Sequence, residues 1–509
     1  MSQKLKIISE TSLILGYNDR DKPENLRHSD KVYMADIKNG FVDENKLIKR
    51  NGYSTIGNAA TSKIILGQER HEPSGGSKFI LRVRNDATDT NSEIEGWSGS
   101  GNFAKLTNGD SQTADLLHEF IMAEGATYIF NGTDEVVKTT NGTSVSGVAA
   151  VPKGSSAKWW HNFFFVYGVT GNTSRLYFSD VNTPETFDAV NGYIDINTDD
   201  NESITALGAV KDELVIFKET KAFLLTGYGV TDFALTDLSD FAAGGIGTPS
   251  QRSVVETGND VYYLSFQGGT PHFRSIKRTS YGALVDGGII SDEITGTMNR
   301  LVVGRLNQCS GVFDGRRIWW SVCTTGTTNN EVLIYDTITK GWVRFTGINA
   351  SVLHLSTISG SISMYFGSST ANGKSYHLDT SISDNGTAID FLIDTPMYAP
   401  YPGRKCRWKY LYMTADVESD VDISILNSPD GFTFDELGTM NLTGTGAAFG
   451  TATFGTSKWG ATTIARDRLD YAGGSAYFMQ YRFRNNTADE EVSIREWELF
   501  YSVKGLRAV

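Results

Sequence analysis

Short apolar or alternating segments bounded by glycine, asparagine and aspartate recur through most of this chain. They come in pairs: 78–85 with 92–106, 126–132 with 134–142, 162–168 with 174–180, 212–219 with 221–229, 259–269 with 271–278, 315–324 with 330–347, and 361–369 with 373–380. Alternation with a period of two, with tight-turn residues between the members of a pair, predicts antiparallel β-hairpins. Long helical periodicity is nearly absent, so the chain is predicted to be all-β.

The hairpins recur roughly every 30–50 residues with no helices between them, and this period is typical of a β-propeller. A single four-stranded sheet cannot bury both of its faces, whereas a ring of such sheets stacks face to face and closes on itself. The pattern therefore predicts a β-propeller with about seven blades. Two β-sandwiches in tandem are the alternative.

The chain has 509 residues, which is more than one hydrophobic core usually serves. After about residue 383 the pattern changes to longer alternating strands, which predict a β-sandwich appended to the propeller. The predicted divisions are an N-terminal segment 1–57 that wraps or closes the propeller, the propeller at 58–383, and the C-terminal β-sandwich at 384–509. Within the last, the stretch GTGAAFGTATFGTSKWG at 444–460 is either a flat surface that meets another subunit or a mobile hairpin.

Charge and cysteine content restrict the possible partners and compartment. The formal net charge is −13, and such an acidic chain is poorly suited to gripping DNA phosphates. Cys309, Cys323 and Cys406 form no CxxC pair and are odd in number, which favours assembly in a reducing cytosol.

No apolar run approaches the roughly 18 residues that cross a membrane, and the N-terminus lacks the pattern of a signal peptide. We therefore predict no stable membrane insertion.

Motifs for metal or nucleotide chemistry are weak. The seven histidines (28, 71, 118, 161, 272, 354 and 377) are scattered singly. DINTDDNE at 195–202 begins like a calcium loop, but its sixth position is Asp200 and its twelfth is Ala206, so a solvated acidic turn is the better interpretation. GSGNFA at 99–104 matches GxGxxA without a surrounding βαβ unit. No cofactor or metal is predicted, and no catalytic, cofactor-binding or metal-binding residue is assigned.

Two further patterns have both a functional and a structural interpretation. Propeller glycosidases use paired carboxylates, which sequence alone cannot match across blades, and SPDGFTF at 428–434 is one loose analogue of the sialidase turn. RRIWW at 316–320 and GRKCRWKYLY at 403–412 mix basic and aromatic residues that can stack on bases. Alternation along a strand instead predicts Trp in the core and Arg on the rim. We predict that the protein is not an enzyme.

The N-terminal and central segments resemble one known family. The opening has a GYND turn at 16–19, then ENLRHSDKVYMADIKNG at 24–40 and LIKRNGYSTIG at 47–57. The centre, 208–269, contains a strand pair with a Lys-Glu turn, then GGIGTPSQRSVV at 244–255 and GNDVYYLS at 258–265, and YFSDVNTPETFD at 177–188 is similar to the family's blade turns. In order and spacing, residues 10–380 resemble the packaged-DNA stabilization and tail nozzle (tail hub) proteins of short-tailed bacteriophages.

The resemblance implies a structural virion protein, assembled in the host bacterial cytoplasm. It would form a homohexameric ring on the phage adaptor ring and other tail proteins, close the channel to retain packaged DNA, and conduct double-stranded DNA during ejection. Segment 16–57 would wrap onto a neighbour or the adaptor, or alternatively supply the strand that closes the propeller. The competing hypotheses are a host-glycan or receptor-binding propeller tail protein and a propeller glycosidase. Assembly-contact residues are not predicted.

Overall fold

The computed structural model of the chain describes residues 5–10, 13–28, 31–57, 62–238, 245–278, 284–416, 420–443 and 464–504. The chain divides into two compact units. The propeller unit comprises residues 54–333 and 348–378, and the sandwich unit comprises residues 1–53, 334–347 and 379–509. Each unit therefore combines segments that are far apart in the sequence.

The strands before the first blade come from the N-terminal part of the chain: β1 (Lys6–Glu10), β2 (Leu13–Tyr17), β3 (Lys31–Met34), β4 (Asp36–Lys38), β5 (Gly40–Asp43), β6 (Lys46–Lys49) and β7 (Gly52–Ile56). The first two blades follow. Blade 1 has β8 (Ile65–His71), β9 (Phe79–Asn85), β10 (Asn91–Trp97), β11 (Ala104–Lys105) and β12 (Gln112–Thr113), and blade 2 has β13 (Glu119–Ala123), β14 (Ala126–Phe130), β15 (Val137–Thr139) and β16 (Ser146–Gly147).

Three more blades repeat this arrangement of consecutive antiparallel strands. Blade 3 has β17 (Ser156–Trp160), β18 (Phe163–Tyr167), β19 (Arg175–Phe178) and β20 (Tyr193–Asp195). Blade 4 has β21 (Ile204–Val210), β22 (Glu213–Lys218), β23 (Ala222–Thr226) and β24 (Ala234–Asp237). Blade 5 has β25 (Val255–Glu256), β26 (Asp260–Gln267), β27 (Thr270–Arg278) and β28 (Leu284–Ile289).

The next strands are β29 (Ser310–Phe313), β30 (Arg317–Val322), β31 (Glu331–Asp336) and β32 (Trp342–Thr346). Blade 6 follows with β33 (Ala350–Ser356), β34 (Ser363–Ser368) and β35 (Ser375–Ser381), and β7 from the N-terminal region is its fourth strand. The chain segment before blade 1 thus completes the last blade. Of the N-terminal segment predicted at 1–57, only this last part closes the propeller, whereas residues 1–53 lie in the sandwich unit.

The propeller prediction is confirmed, but the count of about seven blades is wrong, since the described residues form six. The strands expected to form one further blade are divided between the units. β29 and β30 pair as a hairpin in the propeller unit, whereas β32 belongs to the sandwich unit, where Arg344 pairs with Lys38 of β4 in parallel. β32 lies between β31 and β4 in its sheet, so the run of neighbouring strands from β29 to β32 continues into a strand of the N-terminal segment.

The second and third strands of each blade are apolar because neighbouring blades cover both of their faces. All five residues of β18 are buried, for example. Its Phe165 belongs to a cluster shared with blade 4, whereas Phe164 and Val166 pack with blade 2. Similar clusters join blade 4 to blade 5 and blade 1 to blade 2. Stacking of blades therefore supplies the hydrophobic core of the propeller unit.

The remaining strands complete the sandwich unit: β36 (Phe391–Asp394), β37 (Cys406–Asp416), β38 (Val421–Ser428), β39 (Asp435–Leu442), β40 (Ile464–Leu469), β41 (Gly474–Ala476), β42 (Gln480–Asn485) and β43 (Ser493–Val503). One sheet has the order β40-β37-β43-β6-β5, with β1 beside β43 and β41 beside β37. The other runs β32-β4-β36-β42-β38-β39, and β2 and β3 form a parallel pair.

Aromatic side chains from the two sheets meet in the core of the sandwich unit. The Phe483 ring lies 5.3 Å from Trp497, and Trp408 lies 6.4 Å from Tyr481, between ring centroids. The C-terminal β-sandwich predicted at 384–509 thus also contains strands from the N-terminal segment and from 342–346.

A buried arginine from the N-terminal segment ties together the three parts of the sandwich unit. Arg50 forms a two-pronged pair with Asp384, with N–O distances of 2.7 and 2.5 Å, and donates to the Thr346 carbonyl at 2.9 Å. It also donates to the Asn39 side chain at 3.0 Å. The LIKRNG segment therefore supplies an internal contact of this unit.

Helices are short in the described residues: Pro23–Asn25, Thr198–Asp200, Gln251–Ser253, Asp292–Ile294 and Val303–Gln308 are 3-10 turns, and Thr295–Met298 is a single α-helical turn. None of the helices in the described part of the chain is long and apolar enough to span a membrane. The glycine-rich stretch 444–460, for which two interpretations were given above, lies outside the described residues.

Candidate functional site

The first strands of the blades surround the propeller axis, where propellers commonly place their ligands. β8 contacts β13 and β33, and the contacts continue from β13 to β17, β17 to β21 and β21 to β25. Polar side chains on these strands, and on the turn that precedes β25, are therefore the candidates for a site at the axis.

Arg252 joins blade 5 to the opposite side of the ring. Its Nε lies 2.5 Å from Oε1 of Glu119 on β13, and its Nη2 donates to the carbonyl oxygens of Leu66 (2.9 Å) and His118 (2.7 Å). Only 6% of the Arg252 side chain and 20% of the Glu119 side chain are exposed. The pair is largely shielded from solvent, and Arg252 also donates to two backbone carbonyls. These contacts hold blades 1, 2 and 5 together.

Two neighbours of Arg252 bind blades 3 and 4. The Oε1 of Gln251 accepts hydrogen bonds from the Tyr167 hydroxyl and from the backbone N–H of Leu207. The Oε1 of Glu256 accepts from Lys158 Nζ and from the Ala209 N–H, both at 2.6 Å. The segment from Gln251 to Glu256, which we call the axial brace, therefore bonds to blades 1 to 4.

A cavity of about 320 Å³ opens beside the brace. One side is apolar, and the rest is polar; the lining residues are Ile64, Ile65, Leu66, Leu117, Asp115, Arg252, Asn307, Gln308, Thr328, Asn329, Ser351 and Ser369. Asn329 donates from Nδ2 to the Gln308 carbonyl at 2.8 Å, while its buried Oδ1 has no hydrogen-bond partner among the described residues.

Burial shifts the pKa of several groups in this region. Burial raises the pKa of Glu69 to about 7, opposed by the N–H of Arg70 and assisted by the charges of Glu119 and Glu72. Burial lowers the pKa of His118 to about 4. It also lowers the pKa of His354 to about 3. At neutral pH these histidines are uncharged, so they act as packed polar groups and not as charged ligands.

The raised pKa of Glu69 predicts a pH-dependent loss of stability. Between about pH 4.5 and 7 the folded chain holds the Glu69 proton more tightly than the unfolded chain, so this group's stabilisation is lost as pH rises through that range. We expect Glu69→Gln to raise the free energy of unfolding by about 2 kcal/mol at pH 8 and by little at pH 4.5. Urea unfolding at both pH values measures this, with Glu124→Gln on an exposed turn as the control. An equal effect at both pH values would contradict it.

The sequence motifs with possible chemistry have structural uses. In 195–202, Asp200 accepts from Lys218 Nζ at 2.7 Å and pairs with Lys221 at 3.2 Å. GSGNFA forms the loop from β10 to β11. In 428–434, the Asp430 carboxylate accepts from Ser428 and from two backbone N–H groups of its own turn. Within the described ranges, no group of three or more His, Cys, Asp or Glu is arranged to hold a metal ion.

The stretch 403–412 follows the predicted alternation at Arg407 and Trp408, whereas in 316–320 the consecutive residues Trp319 and Trp320 are both buried. Trp408 is buried and Arg407 exposed on β37, and Trp320 on β30 is buried with its Nε1 donating to the Ser253 carbonyl at 2.9 Å. The prediction of Trp in the core is confirmed. The three cysteines are all buried and free.

The sequence did not reveal the axial brace. GGIGTPSQRSVV was noted only as part of a family pattern, and no spacing in it identifies Gln251 or Arg252 as residues that reach other blades. Such contacts join residues more than 100 positions apart in the chain, as between Arg252 and Glu119. A lone Arg and Gln between two strands carry no signal that could have predicted this.

Comparison with known proteins gives little beyond the fold. No family model matches the sequence, and the search among curated proteins gives no match. Similar solved structures include the Pan2 WD40 domain of Neurospora crassa, with 6% identity over 66% of this chain and 98% of that one and a TM-score of 0.42. YCF48 from Cyanidioschyzon merolae has 12% identity over 64% and 98%, with a TM-score of 0.41. At these values neither indicates what this chain binds.

Proposed function

We propose that this chain is a structural virion protein, the subunit of a tail hub or nozzle ring of a short-tailed phage that retains packaged DNA and conducts it during ejection. The single observation that carries the proposal is the axial brace. Polar side chains at the propeller axis are bonded to one another and to backbone groups of other blades. They hold the propeller as one rigid body, which suits a subunit that bears load.

The same contacts disfavour a propeller glycosidase. Such an enzyme needs an acid and a second carboxylate facing a sugar. Here Glu119 is paired with Arg252, and Glu256 is paired with Lys158. Glu69 lies on a first strand at the axis, and its raised pKa would suit a general acid. The carboxylates near it that could serve as the second catalytic carboxylate already accept hydrogen bonds within the fold. Glu72, for example, accepts from Ser356 and Thr357.

Charge is consistent with a DNA conduit. A chain with a net charge of −13 repels phosphate over a Debye length of roughly 8 Å, so DNA would pass a ring of such chains without binding to it. The path would be the bore of the ring of copies, because Arg252 crosses the axis of the single propeller. The partners of the proposed homohexamer are the phage adaptor ring and other tail proteins, with assembly in the host cytoplasm.

The proposal predicts an oligomer. Purified full-length chain should form a ring with a mass near six times 55.8 kDa, alone or when mixed with its adaptor, measured by native mass spectrometry. Arg175→Ala, on the third strand of blade 3, serves as a folded control that should form a ring with the same number of subunits. A chain that stays monomeric with and without the adaptor would contradict the proposal. Hydrolysis of a polysaccharide by that monomer would favour the glycosidase, and binding to host surface glycans would favour the receptor-binding alternative.

A further inference from the structure

The sandwich unit has two ends of opposite charge. β37 and β43 run antiparallel along their whole length, with Cys406 opposite Val503 and Asp416 opposite Ser493. Eleven residues of extended strand span about 33 Å, so the groups beyond these two pairs are well separated. We call the end near Cys406 the cationic end and the end near Asp416 the acidic end.

The cationic end carries five exposed basic side chains: Lys6, Arg404, Lys405, Arg407 and Lys504. The backbone places them together, because Lys6 pairs with Tyr501, Arg407 pairs with Ser502, and the Lys504 N–H donates to the Lys405 carbonyl at 3.0 Å. None of the five has a carboxylate partner among the described residues. Other arginines of the unit are paired, as Arg482 is with Asp394 at 2.6 Å. Two acids of the unit already have other partners, Asp430 in its own turn and Asp470 with Arg468.

Four aromatic side chains in the described part of the same unit are exposed, and one of them contacts a cation of this end. Phe432 is 90% exposed, Tyr471 59%, Tyr477 47% and Phe478 41%. Lys405 Nζ lies 5.3 Å from the centre of the Tyr477 ring, which connects the two sets of side chains. Protein interfaces are enriched in aromatic residues and arginine, and such residues supply most of the binding energy. The exposed aromatic residues and the two arginines, Arg404 and Arg407, fit this composition, and the three lysines add positive charge to it.

The acidic end carries Asp420, Asp422, Asp489 and Glu491, all exposed. Asp489 and Glu491 lie in the loop from β42 to β43, and the Asp422 N–H donates to Glu490 at 3.4 Å, which places the start of β38 beside that loop. The basic residues of this end are engaged elsewhere: Lys46 and Arg495 both pair with Asp416, and Lys49 donates to Asn485. None of the four carboxylates forms a salt bridge among the described residues, although the charge of Asp489 acts on Lys49.

We propose that the cationic end of one copy binds the acidic end of the next copy. Opposite charges at opposite ends of one unit favour a head-to-tail contact between identical chains, and such a heterologous contact generates a ring when the rotation between successive copies closes. The occupant of the surface is a second copy because its complement is present on the same chain. The inference rests on the proposed function, since it assigns the contact that the ring requires.

Charge reversal at each end tests this contact. Lys405→Glu with Arg407→Glu reverses the cationic end, and Asp489→Lys with Glu491→Lys reverses the acidic end. We expect each double variant alone to associate at least about tenfold more weakly than wild type, because like charges then meet. A 1:1 mixture of the two should recover association, since every junction is again complementary. Lys153→Glu with Lys211→Glu in the propeller unit is the matched control and should associate like wild type.

The readout is sedimentation velocity of the full chain at low and high salt, with circular dichroism to verify folding. Wild-type association that weakens with salt supports the inference. If rings form and neither reversal changes them, or if the mixture does not recover, the inference is wrong while the proposed function stands. If the ends associate as described but the chain does not assemble on an adaptor, the proposed function fails and the contact stands. Binding of DNA or glycan by the cationic end, with no effect on association, overturns the inference.

Discussion

Arg252→Ala should lower the free energy of unfolding of the propeller unit by about 3–5 kcal/mol. The change leaves the Glu119 carboxylate, four-fifths buried, without its cation, and removes the donors to the Leu66 and His118 carbonyls. An unpaired buried charge costs far more than the pair contributed. Hydrogen exchange by mass spectrometry measures this loss of stability in peptides that cover β8 and β13. Peptides from the sandwich unit should keep their wild-type exchange rates.

Arg175→Ala is the control for Arg252. Arg175 also pairs with a carboxylate, Asp195, at 2.7 Å, but both side chains are more exposed. We expect a loss below about 1 kcal/mol. Replacing both Arg252 and Glu119 by leucine should be less damaging than replacing Arg252 alone, because no buried charge remains. An Arg252→Ala variant with the exchange rates of wild type would mean that the brace does not hold the blades.

Gly341→Ala should destabilise the sandwich unit by at least about 3 kcal/mol. A Cβ at this position would lie 1.5 Å from the carbonyl oxygen of Leu15 and 2.5 Å from its carbonyl carbon. Both are backbone atoms of β2, so no side chain can rotate to relieve the clash and the strand itself must move. We expect faster hydrogen exchange in β2 and earlier proteolysis of the N-terminal segment.

Gly304→Ala is the matched control, since a Cβ there would have no heavy atom within 4 Å. Its effect should stay within about 0.5 kcal/mol. If Gly341→Ala exchanges in β2 at the wild-type rate, the N-terminal strand does not pack against residue 341. The segment would then be available to wrap onto a neighbouring subunit, as the family resemblance implied.

The central strands of the blades are the elements that could be predicted from the sequence, as members of hairpins. β18 and β22 are nearly continuous apolar runs because blades cover both faces, and polar turn residues bound them: Asn162 and Gly168 for β18, and Asp212 and Thr220 for β22. The first strands are harder to recognise. β8 carries Glu69 and β17 carries Lys158. These charged residues interrupt the apolar pattern because the first strands surround the propeller axis, where polar side chains bond to other blades. The fourth strands are too short and polar, as in Ser146–Gly147.

The part of the fold that could not be predicted is the pairing between strands that are far apart in the sequence. β32 pairs with β31, its neighbour in the sequence, but its other edge pairs with β4, and β43 pairs with β6 through Ser493 and Ile48. Neither register is encoded locally, so the N-terminal segment could not be assigned to the sandwich unit. The axial brace was missed for the same reason. By contrast, the alternation that buries Trp408 and exposes Arg407 is a local property, and it could be predicted.

A cryo-electron microscopy map of the full chain assembled with its adaptor tests the central claim most directly. The account predicts copies arranged head to tail around an open bore, each with its propeller axis crossed by Arg252. A single copy holding a substrate or metal ion at that axis, in place of the Arg252–Glu119 pair, would contradict it.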